Sequence, residues 1–409
     1  MALPTTFHLA ADRSSFRLDP RDPTFFQNPY PTYAELHRRA PIAFWDDAGC
    51  VAVASYPVVS ALLKDRRFVR VAPDRPESER FPPHMPAFAS LERHSLLELD
   101  GERHARLRSR LTRAFVTRAI ESMAPTIEDT ARDLAWRLRS QGDGDLVTLF
   151  AEPLPVAIIA DLIGVPRAAA PDLLQWSHDM VAMYRFGRTE VEELAAERSS
   201  REFATFLNDA IAATRSTKRT GLLATLAASS DDPLSSDEVV SLVVLLLNAG
   251  HEATVHQIGN GLASLLSDGT QLADAWNDTH DAEAIVEEML RHDTPLHVFK
   301  RTALVDAEIA NGVHISRGQE IALLLAAANH DPNVFDDPER FDPQRRQKPH
   351  VSFGAGPHFC IGAPLARLEL QIAFRVLREE VPSLRLAAPP LFRDSFHFRG
   401  VERLPVRCG

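Results

Sequence analysis

Ser235-Ser236-Asp237-Glu238 opens an apolar segment that runs to about Leu266. The serine and the glutamate three places on form a capping box, each side chain meeting an amide that the first helical turn leaves bare. Leu242-Val243-Val244-Leu245-Leu246-Leu247 is apolar on every side, so the helix it predicts is buried all round. Roughly 30 residues is far beyond the ordinary globular helix, and such a rod is expected to cross the whole molecule. Asn248, Gly250, His251 and Glu252 interrupt it and argue against a bilayer span.

Around this rod the chain reads as mainly helical with a minor β region, an α+β class. A proline-rich lead, Pro29-Tyr30-Pro31, starts a short helix. Val51-Ala52-Val53-Ala54, Leu384-Leu386 and Leu404-Val406 read as strands. The stretch from Val71 to Ser90 carries Pro73, Pro76, Pro82, Pro83 and Pro86, and is expected to be neither regular helix nor central strand. Helical periodicity runs from His104 to about Gln141, and again through 152–163, 171–184 and 190–215. No internal repeat or low-complexity tract divides the chain.

With 409 residues, 45% of them hydrophobic, a large core is available. A net charge of -11 does not attract nucleic acid or an anionic membrane to the chain as a whole. Three cysteines, Cys50, Cys360 and Cys408, build no disulfide framework and fit a reducing, cytoplasmic setting. The N-terminal residues lack the apolar run of a signal peptide or anchor.

Cys360 stands apart from the other two. It lies in Phe353-Gly354-Ala355-Gly356-Pro357-His358-Phe359-Cys360-Ile361-Gly362, which opens directly into a helix at Ala363. A reactive thiolate needs an electropositive, partly shielded pocket, and loop amides with a helix N-terminus supply one without lysine. Gly354, Gly356 and Gly362 allow tight turns and leave room for a flat group. A cysteine before a helix is more often a small buried hydrophobe. The pattern Phe-x-x-Gly-x-His-x-Cys-x-Gly, however, resembles the haem-binding loop of the cytochrome P450 family at every fixed position.

That resemblance implies one domain over 1–409, a long central helix above haem b (iron protoporphyrin IX), and small β-rich parts near 40–70, 295–320 and 380–409. It implies Cys360 as axial iron ligand, with Phe353 and Gly362 shaping the loop. His104, Arg108, Arg301 and His358 stand where the family places cations for the haem propionates; His104 and Arg108, four apart, share a helix face. Glu288 and Arg291, three apart, with Arg340 of Pro338-Glu339-Arg340-Phe341, match a structural ion network behind the haem. Substrate contacts are expected from Leu245, Asn248, Ala253, Leu296, His297, Phe299 and Phe396, together with the loop near His84-Met85 and the region Ser177–Phe186, and they suggest a mostly apolar small organic molecule.

Ala249-Gly250-His251-Glu252-Ala253-Thr254 resembles the family's oxygen-activation motif. Ala249 and Gly250 are expected to let the helix open beside dioxygen, and Glu252 is the acid. The alcohol that usually follows the acid is missing: Ala253 stands there and Thr254 comes one place later, about 100° further around the helix. A water at Glu252, a substrate hydroxyl, or peroxide as oxidant could take its place. The implied reaction is monooxygenation of a C–H bond, with the thiolate favouring O–O cleavage. Electrons would come from a separate ferredoxin and reductase, since no flavin or iron–sulfur segment follows the loop. Arg106, Arg110, Arg113, Arg345, Arg346 and Lys348 could form a basic patch for an acidic ferredoxin. The alternatives are peroxygenase or oxidative-coupling chemistry on the same fold, raised by Ala253, and a non-catalytic haem sensor, which needs no acid on the oxygen side. A zinc or non-haem iron site at His358 and Cys360 lacks further ligands nearby in sequence.

Overall fold

The computed structural model describes residues 3–115, 120–216, 221–228, 232–266, 269–276, 282–310, 312–346 and 349–409. The rod predicted from the capping box is one unbroken α-helix, Ser236–Leu265. The Ser235 hydroxyl accepts from the Glu238 amide, and the Glu238 carboxylate accepts from the Ser235 amide. Among the described residues it is the one helix long and apolar enough to cross a membrane, and 78% of its most apolar stretch is buried inside the protein. Its apolar surface is therefore used in packing.

Among the described residues, seven other helices have eleven residues or more. In chain order they are α1 (Gly101–Ala114), α2 (Ala124–Gln141), α3 (Pro153–Ile163), α4 (Ala170–Val181) and α5 (Glu190–Ser216). The rod is α6, followed by α7 (Ala282–His292) and α8 (Ala363–Glu380). The periodicity from His104 to Gln141 thus belongs to two helices, not one. Phe115 leaves the helical region, and Pro125 sits in the first turn of α2, where a missing amide costs nothing. The proline-rich stretch also departs from expectation, with short helices at Glu77–Arg80 and Pro86–Glu92. Proline blocks a helix interior but suits the first turn, and Pro86 stands there.

Among the described residues the minor β part comprises a three-stranded sheet, two two-stranded sheets and one larger, seven-stranded sheet. The strands of the larger sheet are β1 (His8–Leu9), β2 (Ser15–Arg17), β3 (Ile42–Trp45), β4 (Cys50–Val53), β5 (Phe68–Val69), β6 (Val298–Ala303) and β7 (Glu320–Leu324). Their order is β1-β2-β3-β4-β7-β6-β5. Parallel pairing of β4 with β7 brings the N-terminal strands beside β6, which carries Phe299 and Arg301. The strands expected near the C-terminus are Arg385–Leu386 and Pro405–Arg407. The largest hydrophobic core lies among the helices, and two smaller clusters cover the sheet.

Candidate active site

The cysteine loop is fixed by its own backbone before any side chain matters. The Cys360 amide donates to the Phe353 carbonyl at 2.9 Å, which closes the loop. Gly354 and Gly356 have φ of 66° and 67°, a region that disfavours side chains. A Cβ on Gly356 would also lie 2.6 Å from the Leu63 carbonyl oxygen. Gly362 is different: with φ of -82° it caps α8 in ordinary helical geometry, and its missing side chain leaves open space near the sulfur.

Burial pushes the Cys360 thiol up, against the pull of the Gly362 and Ala363 amides and the Arg108 and Arg367 charges. The electropositive surroundings expected from the sequence are present, but desolvation outweighs them. A bound metal reverses that balance, because a coordinating thiol is deprotonated outright. Arg367 lies over the Phe353 ring, 4.6 Å from its centre, and pairs with Glu287 at 2.5 Å. The loop is thereby tied to α7.

Above the sulfur is a deep cavity with mostly apolar walls. Leu245, Asn248, Ala249, Gly250, Ala253 and Thr254 of α6 form one side. Cys360, Phe353 and Gly362 lie opposite, and Leu296 and Phe299 close another edge. Ala249 and Gly250 are exposed in a mostly buried helix, and the surface they show is that of the cavity they line. The helix does not open there; its α-helical run is continuous.

Basic side chains gather at the cavity. His104 and Arg108 of α1 both line it, as does His358. The His104 and His358 rings are 4.3 Å apart, and His358 Nε2 lies 2.8 Å from an Asp100 oxygen. Arg70 lines it too and was not singled out from the sequence, where one arginine after a two-residue strand carries no signal. Arg301 does not reach the cavity wall; it is buried behind, and donates to the Lys300 carbonyl at 2.9 Å.

Burial pushes His104 down to about 4 and Arg301 down to about 9, and lowers His358 despite Asp100. Among the described residues the buried His104 Nε2 has no hydrogen-bond partner. Clustered basic groups that burial holds toward their neutral forms are what a bound anionic group would restore to their charged forms. A flat cofactor with two carboxylates and a thiolate-seeking metal fits the cavity, its rim and its floor.

The ion network behind the loop differs from expectation in one member. Arg291 donates to both Glu288 oxygens, at 2.7 and 2.8 Å, and both residues are fully buried. Arg340 is exposed and offers only its backbone carbonyl to the network. Arg345 takes its place: it is buried, and its Nε lies 3.4 Å from Glu288 Oε1. The Pro-x-Arg-Phe pattern pointed to the wrong arginine because the loop after Phe341 folds back over α7.

Two pocket residues are also corrected. His297 is buried away from the cavity, with Nδ1 2.8 Å from the Tyr33 hydroxyl. Phe396 packs beside it, against Phe25 and Trp45. Their neighbours line the cavity instead: the Leu296–Phe398 bridge brings Leu296, His397 and Phe398 to the wall. His84 and Met85 stay outside it; Met85 is core and His84 pairs with Glu193. The next turn of chain contributes Glu92, Leu96 and Leu97, and Ser177–Phe186 contributes Val181 and Tyr184.

Glu252 does not line the cavity. It faces the other side of α6, with one oxygen 3.1 Å from His178 Nε2 and the other 3.2 Å from His256 Nε2. Burial alone would raise its pKa, but these imidazoles hold it well below the usual carboxylate range. Thr254 does reach the cavity, and its hydroxyl donates to the Gly250 carbonyl at 2.8 Å.

The basic patch is largely consumed by internal pairs. Arg106 binds Asp232 and Glu238, Arg110 binds Asp232, and Arg345 is buried. Arg113 and Arg346 are exposed, and Lys348 lies outside the described residues.

Residues 276–379, which hold the Glu288 network and the cysteine loop, match the family model described as cytochrome P450. Cytochrome P450 monooxygenase PikC of Streptomyces venezuelae is 34% identical over 394 residues, covering 94% of this chain and 92% of that protein. The chain belongs to the cytochrome P450 family. Cytochrome P450 107B1 of Saccharopolyspora erythraea is 39% identical over 321 residues, 77% of each chain. The solved structure of P450BioI, in complex with a hexadec-9Z-enoic acid ligated acyl carrier protein, superposes with a TM-score of 0.88 at 32% identity, covering 94% of this chain and all of that one. This P450 accordingly has the cytochrome P450 fold, haem b as its cofactor, and the oxygen-incorporating oxidoreductase activity of the monooxygenases. A non-catalytic haem sensor does not agree with relatives that are named monooxygenases.

Proposed function

We propose that this P450 inserts one atom of dioxygen into a C–H bond of a mostly apolar small molecule, as a single cytoplasmic unit supplied with electrons by a separate ferredoxin and reductase. The observation that carries this reading is that Cys360 and one face of α6 line the same apolar cavity. Cys360 would hold the iron from below, and His104, Arg108 and His358 would meet the propionates, with Arg301 adding buried positive charge behind them. Haem b, when bound, supplies the reductive splitting of dioxygen and the transfer of one oxygen atom.

The protein's share is to bind, orient and deliver protons. Leu245, Ala253, Leu296 and Phe299 present hydrocarbon to substrate, while Asn248, Glu92 and Tyr184 offer the polar contacts. Burial, reinforced by Glu98, holds the Glu92 acid up to about 8, so at neutral pH it stands protonated and can donate. Ala249 and Gly250 give room over the sulfur. Thr254 and Glu252 remain the proton-handling candidates of α6, Thr254 through a hydroxyl at the cavity and Glu252 from the far side of the helix.

The decisive measurement is the spectrum of the reduced protein with carbon monoxide. A strongly red-shifted Soret band is expected; a band typical of histidine-ligated haem would reject Cys360 as ligand. Product formation with ferredoxin and reductase then tests the electron route.

A second reading has one observation in its favour. Ala253 at the cavity wall carries no hydroxyl, and the Thr254 hydroxyl is bonded to its own helix. Peroxide brings its own protons and both electrons, so it bypasses both needs. Turnover with hydrogen peroxide at least as fast as with the ferredoxin system would favour this peroxygenase reading.

A further inference from the structure

The face of α6 turned from the cavity carries a second set of ligating groups. His251 and Glu252 lie on it, and α4 brings His178 against them. None of the three lines the cavity above Cys360.

We propose that His178, His251 and Glu252 bind one divalent transition-metal ion of the zinc type, bridging α4 and α6. Two imidazoles and a carboxylate are a donor set that such ions favour over magnesium or calcium, which prefer all-oxygen sites. The ligating atoms of the three residues all lie within 4.8 Å of one another. Ligands about 2.0–2.2 Å from a tetrahedral zinc stand roughly 3.4 Å apart. The 3.1 Å between His178 Nε2 and Glu252 Oε1 is already close to that edge. A bound ion need only draw the remaining donors inward.

A second observation points to a ligand independently of this spacing. His251 is 0% exposed, and among the described residues neither of its ring nitrogens has a hydrogen-bond partner. A buried imidazole with both nitrogens unmet is costly, and a metal ion would satisfy one of them. Glu252 is oriented for the purpose: His256 Nε2 holds its other oxygen at 3.2 Å, the outer contact that metal-binding carboxylates commonly have. Access is available as well, since the His178 side chain is 30% exposed while Glu252 is nearly enclosed. An ion would enter past His178, and water would complete its coordination. Occupancy would clamp α4 to α6 and engage the acid of the helix motif.

The test is equilibrium dialysis of the purified holoenzyme against zinc chloride, with zinc and iron counted per chain, beside the thermal midpoint with and without zinc. One tightly held zinc per chain is expected, and a midpoint that rises with zinc. His178→Ala changes a half-exposed residue and should keep the haem spectrum, yet weaken zinc at least about tenfold and abolish the rise. His251→Leu should do the same. Should His251→Leu fail to fold, the near-surface His178→Ala still decides. Zinc binding unchanged in His178→Ala, or no tight zinc in the parent protein, overturns the proposal.

Discussion

The Thr254 hydroxyl is bonded to the Gly250 carbonyl one helical turn earlier, at 2.8 Å, while Ala253 beside it faces the cavity with no polar atom. A threonine at 253 would place a hydroxyl on the cavity wall. Ala253→Thr should therefore raise the fraction of consumed electrons recovered as product, read as product per NADH. An unchanged fraction would mean that bound water or a substrate hydroxyl already serves. Thr254→Val removes one intrahelical hydrogen bond and should cost about 1 kcal/mol in urea unfolding.

The buried pair Glu288–Arg291 and its neighbour Arg345 make an asymmetric prediction. Glu288→Ala leaves two buried guanidinium groups facing each other, which should cost about 3–5 kcal/mol and loosen haem retention. Arg345→Ala should destabilise strongly as well. Arg340→Ala should be close to neutral, because that residue contributes only a carbonyl. Denaturation midpoints followed at the haem band distinguish the three; equal losses for Arg340 and Arg345 would contradict the assignment.

Two buried acids should tilt stability in opposite directions with pH. Burial would raise Glu287, but His350 and Arg367 outweigh it and hold it down to about 2 from an ordinary 4.5. Its contribution is full above pH 4.5 and is lost as pH falls toward 2, on the order of 3 kcal/mol by linkage. Glu287→Gln should flatten that acid limb of the unfolding curve.

Glu92 runs the other way. Its acid is held up to about 8, so the folded state keeps a proton that the unfolded chain releases above 4.5. Stability from this group is greatest below pH 4.5 and declines until about pH 8. Glu92→Gln should remove the decline, measured as thermal midpoint against pH. A parallel displacement at all pH values would show that Glu92 is ionised in the fold.

Arg106 and Arg110 are paired with Asp232, whereas Arg113 and Arg346 are exposed. Reversing an exposed rim charge changes association and its salt dependence more than it changes fold. Arg113→Glu and Arg346→Glu should raise the KM for an acidic ferredoxin several-fold at low ionic strength, with the effect fading in salt. KM values that do not respond to salt would place the ferredoxin surface elsewhere.

The sequence by itself determined the parts whose geometry is local. The capping box at Ser235 and Glu238 and the all-round apolarity of 242–247 fix the long helix, because i to i+3 contacts and helical period depend only on neighbours. The cysteine loop was legible for the same reason: its glycine turns and its closing amide lie within a few residues. Tertiary structure decided the rest. Which arginine joins Glu288, whether His297 or His397 meets the cavity, and which side of α6 Glu252 faces all depend on how distant segments pack. A one-residue step along a strand sends a side chain to the opposite face, and one along a helix turns it by about 100°, so only the packed neighbours decide what each side chain meets.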